Sequence, residues 1–375
     1  MLLSRIGLLL IAMLTVMSCR LSSAQAPDLR SAGPPIAIGG EPADVTVGDV
    51  NDDGWPDLVI ARQGAGEITV LTGDGTGRFS PTGTFAAGEN PNAVALGDYD
   101  ADGDLDAAVA NHDTDYVTLL LNDGTGRFST APASPLDVGV GPHPHAIETI
   151  DLDGDGHLDL LVDDRYAEAI AVFRGSGHAT FATPGSRIDV GGDPYRGMAL
   201  ADVDGDGAVD LITPNRNEIA VVLSAVPSGS PSPVTMPADQ PFTVAAGDIT
   251  GDGIIDLITG AEPGPVWILR GTGSGRFEPD GELVWRQPVG AKKVVVGDLN
   301  GDGVQDAVLT NYMESGVFVI WGGPAPMRTR EVAGGTNPWG LAVADLTGDG
   351  LDDIVVVDQT GGEARVYLAQ PGRDR

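Results

Sequence analysis

Short phrases dense in aspartate recur along this chain, and their spacing suits one kind of chemistry. In DLDGDGHLD, residues 151–159, carboxylates stand at positions 1, 3, 5 and 9 and a glycine at position 6. Left alone, such charges repel. Around a hard cation they become a cage: the glycine permits a sharp bend, and the position-7 carbonyl can turn inward. Calcium takes about six to eight oxygens at roughly 2.3–2.6 Å and tolerates irregular geometry. The expected ligands in this copy are Asp151, Asp153, Asp155 and Asp159.

Six more copies follow the same spacing. Asp98, Asp100, Asp102 and Asp106 make one four-aspartate set, and Asp202, Asp204, Asp206 and Asp210 another. Asn takes the third position in Asp49, Asn51, Asp53, Asp57 and in Asp298, Asn300, Asp302, Asp306. Thr takes it in Asp248, Thr250, Asp252, Asp256 and in Asp345, Thr347, Asp349, Asp353, with weaker oxygens. Position 12 is Ile60, Val109, Val162, Thr213, Thr259, Leu309 or Val356, never the bidentate Glu of an EF-hand. The expectation is up to seven Ca²⁺ held in hairpin loops, with the ninth-position Asp closing each cage. A fully caged ion leaves no open position for a substrate, so these sites read as structural.

The elements that must position these loops are strands. The first aspartates are 49, 53, 51, 46, 50 and 47 residues apart. Before each phrase runs an alternating apolar stretch (DVTVGD, NAVALGD, FTVAAGD), and after it a β-rich run (DLVIA, DLLVD, DIVVV). A third strand follows (ITVLTG, VTLLLN, VFVIWGG), then a Gly-rich turn and a weaker fourth strand. Period-two alternation, β-branched residues and punctuating glycines say strand throughout. Four antiparallel strands in about fifty residues make a propeller blade. The predicted fold is an all-β, seven-bladed β-propeller of four-stranded blades, with an open solenoid as the alternative.

The ends of the chain bear on closure. The last unit stops at its third strand, ARVYLAQ, whereas the N-terminal PIAIGGEP reads like a fourth strand. Residues 35–40 are therefore predicted to complete the last blade, removing the exposed edges of an open array. The propeller is placed at residues 33–371.

Composition narrows the function classes. Asp and Glu number 54 against 21 Lys and Arg, a formal charge of −33. That balance argues against nucleic acid as a partner, since phosphate binding needs a basic face. With hydrophobic content at 42%, the acidity does not read as disorder. The first eighteen residues, with Arg5 before the apolar stretch IGLLLIAMLTV, read as a signal peptide. VMSC resembles a lipobox, making Cys19 the lipidated first residue of a bacterial envelope lipoprotein with a flexible tether over residues 19–32. Cleavage after Ala24, giving a soluble exported form, is the alternative. Cys19 is the only cysteine, so no disulfide holds the mature chain, and no later apolar stretch is long enough to span a bilayer.

The units resemble FG-GAP/VCBS-type repeats, which build the seven-bladed propeller of integrin α subunits. The resemblance rests on the seven acidic phrases and on turns such as GDGTGRF and NDGTGRF. It implies that the calcium loop joins the first and second strands of each blade on one face, while ligands meet the opposite face. It also implies a departure here, since integrin-like propellers carry calcium in only some blades.

The opposite face gathers the loops from strand 2 to 3 and from strand 4 to 1. These carry His112, Arg165, Arg216 and Tyr312, and then His143, His145, Tyr195, Arg196 and Trp339. Aromatics beside Arg, His and Asn suit a glycan or peptide surface. His143 and His145 alternate in GPHPHA, which admits a zinc or general-base role, but no acidic partner is identifiable from the sequence. The favoured reading is a non-enzymatic, calcium-stabilised binding or adhesion module for a glycan or protein, monomeric, touching the membrane only through its lipid. The alternative is a polysaccharide hydrolase or lyase using the same face, favoured if carboxylates and His cluster at the channel mouth.

Overall fold

A computed structural model describes residues 28–139, 141, 144–194, 197–224, 232–278, 281–324 and 327–370. The leader, Cys19 and most of the Pro/Ser stretch near 226–233 lie outside the described residues.

The described chain forms seven antiparallel sheets. Blade 1 runs Pro42–Gly48, Asp57–Arg62, Glu67–Gly73 and Phe79–Ala86, hydrogen-bonded in chain order. Blades 2 to 6 repeat this meander, with first strands at Pro91–Gly97, Ile147–Ile150, Ala199–Ala201, Pro241–Gly247 and Val294–Gly297. In blade 2 the outer strand is split into Phe128–Thr130 and Leu136–Asp137. First strands from all seven blades line one central cavity.

Second strands such as Asp106–Asn111 and Asp353–Asp358 are buried at every residue, which explains their near-continuous apolar runs. The core lies between neighbouring blades. Val59, Ile68 and Val70 of blade 1 pack on Val94, Val109 and Leu120 of blade 2. Leu58, Ile60 and Leu71 on the other side of blade 1 pack on Val355, Val357 and Val366 of blade 7. That last cluster makes the array a ring.

Blade 7 combines Pro338–Ala344, Asp353–Asp358 and Glu363–Leu368 with two N-terminal pieces. Ile36–Ala37 pair with Ala364 and Glu363, and Arg30–Ser31 pair with Leu368 and Tyr367. The ordered ring thus begins before residue 33. Leu29, 5% exposed, is buried in the blade 6–7 core, and Asp28 meets Arg330 at 3.1 Å.

One interaction recurs in every blade. Asp57, Asp106, Asp159, Asp210, Asp256, Asp306 and Asp353, at the ninth position of the acidic phrases, are essentially inaccessible to solvent. One oxygen accepts the backbone N–H of the phrase's second residue (Val50, Tyr99, Leu152, Val203, Ile249, Leu299, Leu346) at 2.8–3.2 Å. The other accepts the N–H just beyond or at the end of the third strand (Gly73, Asn122, Gly175, Ser224, Gly271, Gly322, Ala369) at 2.7–2.9 Å. The carboxylate thereby ties the first hairpin loop to a strand it does not adjoin in sequence.

Removing this tie leaves backbone donors unpaired. Asp306→Ala is expected to destabilise the chain by about 2–4 kcal/mol, at ~1–3 kcal/mol per stranded buried group. Asp302→Ala, an exposed member of the same phrase, should cost far less in metal-free buffer. Denaturant midpoints of the two variants check this; equal losses would remove the distinction.

Candidate functional site

The acidic loops fold inward on themselves. Asp151 Oδ1 accepts from the N–H of Gly154 at 2.8 Å and of Asp155 at 3.1 Å, and Oδ2 accepts from Gly156 at 2.9 Å. The fifth-position Asp155 accepts from His157 N–H at 2.9 Å. Gly156 sits at φ 89°, the left-handed backbone that a side chain would strain. The same pattern of bonds to the first aspartate runs through Asp202, Asp248, Asp298 and Asp345. Asp49 and Asp98 accept from their fifth- and sixth-position N–H groups.

In three blades the carboxylates converge. One oxygen from each of Asp98, Asp100 and Asp106 lies within 4.8 Å of the others, and so do those of Asp151, Asp153, Asp155 and of Asp202, Asp204, Asp206. These are the three copies with four aspartates. In blade 5, the Thr250 hydroxyl, the third-position oxygen, is buried. The donor set is all hard oxygen, which fits calcium and no soft metal.

Burial pushes the Asp106 carboxyl up to about 6, against two backbone N–H bonds that lower it. Burial likewise raises Asp306 and Asp353 to about 7, again opposed by backbone bonds and reinforced by neighbouring carboxylates. At Asp151, in contrast, the Gly156 N–H leads a group of backbone bonds that hold the carboxyl below its ordinary value. Blade 3 carries its own cation: the Arg174 guanidinium reaches Asp153 at 3.1 Å and also pairs with Asp159.

On the opposite face, the residues singled out from sequence fall into pairs. Arg165 and Arg216 both meet Asp193, at 2.9 and 3.4 Å. Tyr312 and Trp339 converge with Phe242 on the Lys292 ammonium, which lies 5.0, 4.2 and 5.0 Å from their ring centroids respectively and also pairs with Glu262. His112 and His145 face each other with Nε2 atoms 3.1 Å apart. His143, Tyr195 and Arg196 lie outside the described residues.

Between these groups opens the axial channel, a cavity of about 600 Å³. Asn92, His145, Lys292 and Trp339 line it, together with Asp44, Glu148, Thr243 and Lys293. Each belongs to a first strand or to the residues just before one, so the ring geometry brings them together. Lys293 of blade 6 reaches across to Asp44 of blade 1 at 3.4 Å, and Asp44 also accepts the Val94 N–H of blade 2 at 3.2 Å. Gly340 of blade 7 lets this happen: a Cβ there would come within 2.7 Å of the Asp44 backbone. Asp44, then Glu148, raise the Lys293 ammonium above its ordinary value, against burial. Burial raises the Glu148 carboxyl, an effect that Lys293 opposes and Asp44 reinforces. Asn92 donates to the His145 carbonyl at 3.0 Å, and its buried Oδ1 has no partner among the described residues.

Asp44, Glu148 and Asp163 were not singled out from sequence as site residues. The signal for Asp163 was the doubled acid ending DLLVDD, where the aligned strands carry Ala61 or Ala110. Asp163 accepts the N–H of His145 and of Ala146, both at 2.7 Å, supplying the acidic neighbour that the sequence did not reveal.

Comparison with known proteins places this geometry. A family model described as FG-GAP-like repeat matches residues 49–109, 98–162 and 248–309. The uncharacterized protein YybI of Bacillus subtilis (strain 168) is 35% identical over 119 residues, covering 28% of this chain and 44% of that protein. The chain thus matches less than half the length of that relative. Among solved structures, BBS1N in complex with ARL6DN aligns with TM-score 0.63 at 13% identity, covering 93% of this chain and 99% of that one. Virginiamycin B lyase from Staphylococcus aureus gives 0.60 at 11% identity, over 91% and 99%. An Agrocybe aegerita lectin that recognises non-reducing terminal N-acetylglucosamine gives 0.52 at 20% identity, over 92% and 94%. At these identities the structures share the fold alone. The chain is a seven-bladed β-propeller, three stretches of which match the FG-GAP-like repeat.

Proposed function

We propose that the chain is a calcium-stabilised binding module that takes a glycan at the channel mouth opposite the acidic loops. The observation that carries the ligand reading is the channel itself. A cavity of about 600 Å³ is of ligand-binding size. Its lining combines an aromatic ring, Trp339, with the polar side chains of Asn92 and Thr243 and with charges already paired inside the protein. A neutral polyhydroxyl ligand suits that lining: it stacks on the ring and bonds to fixed polar groups without bringing charge of its own. The structural neighbours include a glycan-reading propeller and one in complex with a protein, which is compatible with either partner class.

Calcium is supported by the converging carboxylate oxygens of three blades. A cation in the loop offsets both the mutual repulsion and the burial cost. FG-GAP-like repeats match three stretches that contain such loops.

A second reading has one observation in its favour. Asp44, Glu148 and His145 line one cavity, so the channel holds carboxylates and an imidazole, groups able to act as general acid and base on a bound polysaccharide. Turnover of a bound oligosaccharide that is lost in Glu148→Gln, with binding kept, would favour it over pure binding.

Three outcomes test the main reading. Chelation should lower the melting temperature by many degrees and added Ca²⁺ should restore it, since each site at about ten times its Kd contributes ~1.4 kcal/mol; an unchanged melting curve would sink the metal reading. Arg174→Gln should increase the calcium affinity of blade 3, seen as an additional or tightened site by calorimetry; an unchanged isotherm would show that the guanidinium does not compete. On a glycan array, Trp339→Ala and Asn92→Ala should each weaken the bound sugar at least about tenfold, from the loss of one stacking or polar contact. Binding undiminished in both variants would move the site off the channel mouth.

A further inference from the structure

Inside the channel one carboxylate stands apart from its surroundings. Three residues before the first aspartate of each acidic phrase, the seven first strands reach the same height, and every residue there lines the cavity. Six of them are uncharged and small or apolar: Thr46, Ala95, Ala199, Ala245, Val295 and Ala342. The seventh is Glu148. Its strand, Ile147–Ile150, buries Ile147 in the core between blades 2 and 3 and leaves Glu148 half-buried, facing the cavity.

The cations of the channel are engaged elsewhere. Lys293, two residues nearer the mouth in register, reaches Asp44 at 3.4 Å and acts on Glu148 only through space. Lys292 pairs with Glu262. Among the described residues no N–H or O–H group donates a hydrogen bond to the Glu148 carboxylate, and burial raises it. Ionised, such a group can accept about four donors. A ligand that brings donors to it restores what burial takes away.

Depth sets the kind of ligand. Asn92, His145 and Trp339 lie six residues before their aspartates, at or before the start of the first strands, and Glu148 lies three residues further in. At about 3.3 Å per residue, its height is on the order of 10 Å below that rim. A sugar whose chain continues in both directions cannot reach so far without threading the ring. A terminal sugar can, entering end-on. Two adjacent hydroxyls then meet two carboxylate oxygens, in hydrogen bonds strengthened by the charge. Hydroxyls also leave the Asp44–Lys293 pair undisturbed, whereas an acidic sugar would set a second anion against Glu148.

We propose that Glu148 selects the ligand: its carboxylate accepts a pair of adjacent hydroxyls from a terminal sugar inserted into the channel. This rests on the glycan reading of the channel mouth and adds the end group that is recognised. It differs from the hydrolytic alternative in what Glu148 does, holding hydroxyls against transferring a proton.

The test uses the full chain in Ca²⁺ on an array of neutral oligosaccharides fixed through their reducing ends. Each is printed in two forms, with the hydroxyls of the terminal sugar free or O-methylated. Expected are binding to free-ended forms and a loss of at least about tenfold on methylation. Glu148→Gln should bind the same glycans roughly tenfold to a hundredfold more weakly, the range for one hydrogen bond to a charged group. Its melting curve should follow the wild type, because the replaced carboxylate holds no hydrogen bond of the fold. Equal binding by wild type and Glu148→Gln, with Trp339→Ala weakened, would overturn this inference and leave the channel-mouth site standing. Methylated and free forms bound alike by the wild type would overturn it as well, a result that stands even if the variant is unstable. Turnover lost in Glu148→Gln with binding kept would replace it with the hydrolytic role. Wild-type protein that binds no neutral glycan would take both readings down.

Discussion

The rest of this architecture hangs on a carboxylate buried between three backbone segments. In each blade the ninth-position Asp, shut off from solvent, accepts one N–H from the loop after the first strand and one from the end of the third. A propeller blade has few other ways to fix that loop, since the strands it joins carry their own ladder and leave it out. Placing the charge there is unfavourable by itself, as the raised Asp306 and Asp353 carboxyls record. The two hydrogen bonds, and the oxygen-rich loop in front, make the position tenable.

Much of the fold was legible because its determinants are local and repeated. Seven acidic phrases, alternating strands before them and apolar strands after them are periodic signals, and the seven sheets fall where those signals lie. The channel was legible only in part. Lys293 and Asp44 are 249 residues apart and meet because the ring closes, and no spacing rule in the sequence anticipates that contact. The same holds for Phe242, Tyr312 and Trp339, which come from three blades to surround Lys292. His112 and His145 were both visible as loop histidines, yet their facing geometry depends on the packing of blade 2 against blade 3.

The two faces of the ring differ in kind. The acidic face is nearly the same in every blade, because one backbone problem is solved seven times. The other face breaks the repeat: Asn92, His145, Phe242, Lys292 and Trp339 occupy equivalent positions just before or at the start of the first strands of blades 2, 3, 5, 6 and 7. A repeated scaffold with one irregular rim concentrates chemical individuality in a single concave place, which is where a specific ligand can be told from its relatives.

The last blade has a consequence for how the molecule comes into being. Arg30–Ser31 and Ile36–Ala37 pair with Glu363–Leu368, about 330 residues further along the chain, so one side of this blade is made long before the other. At about 5–20 residues per second, the N-terminal strand waits on the order of tens of seconds for its pairing partner. Until then blade 1 presents Leu58, Ile60 and Leu71 without the blade 7 side chains that cover them. The ring thus stays open to misassociation until that pairing forms, and one event seals both the sheet and the ring.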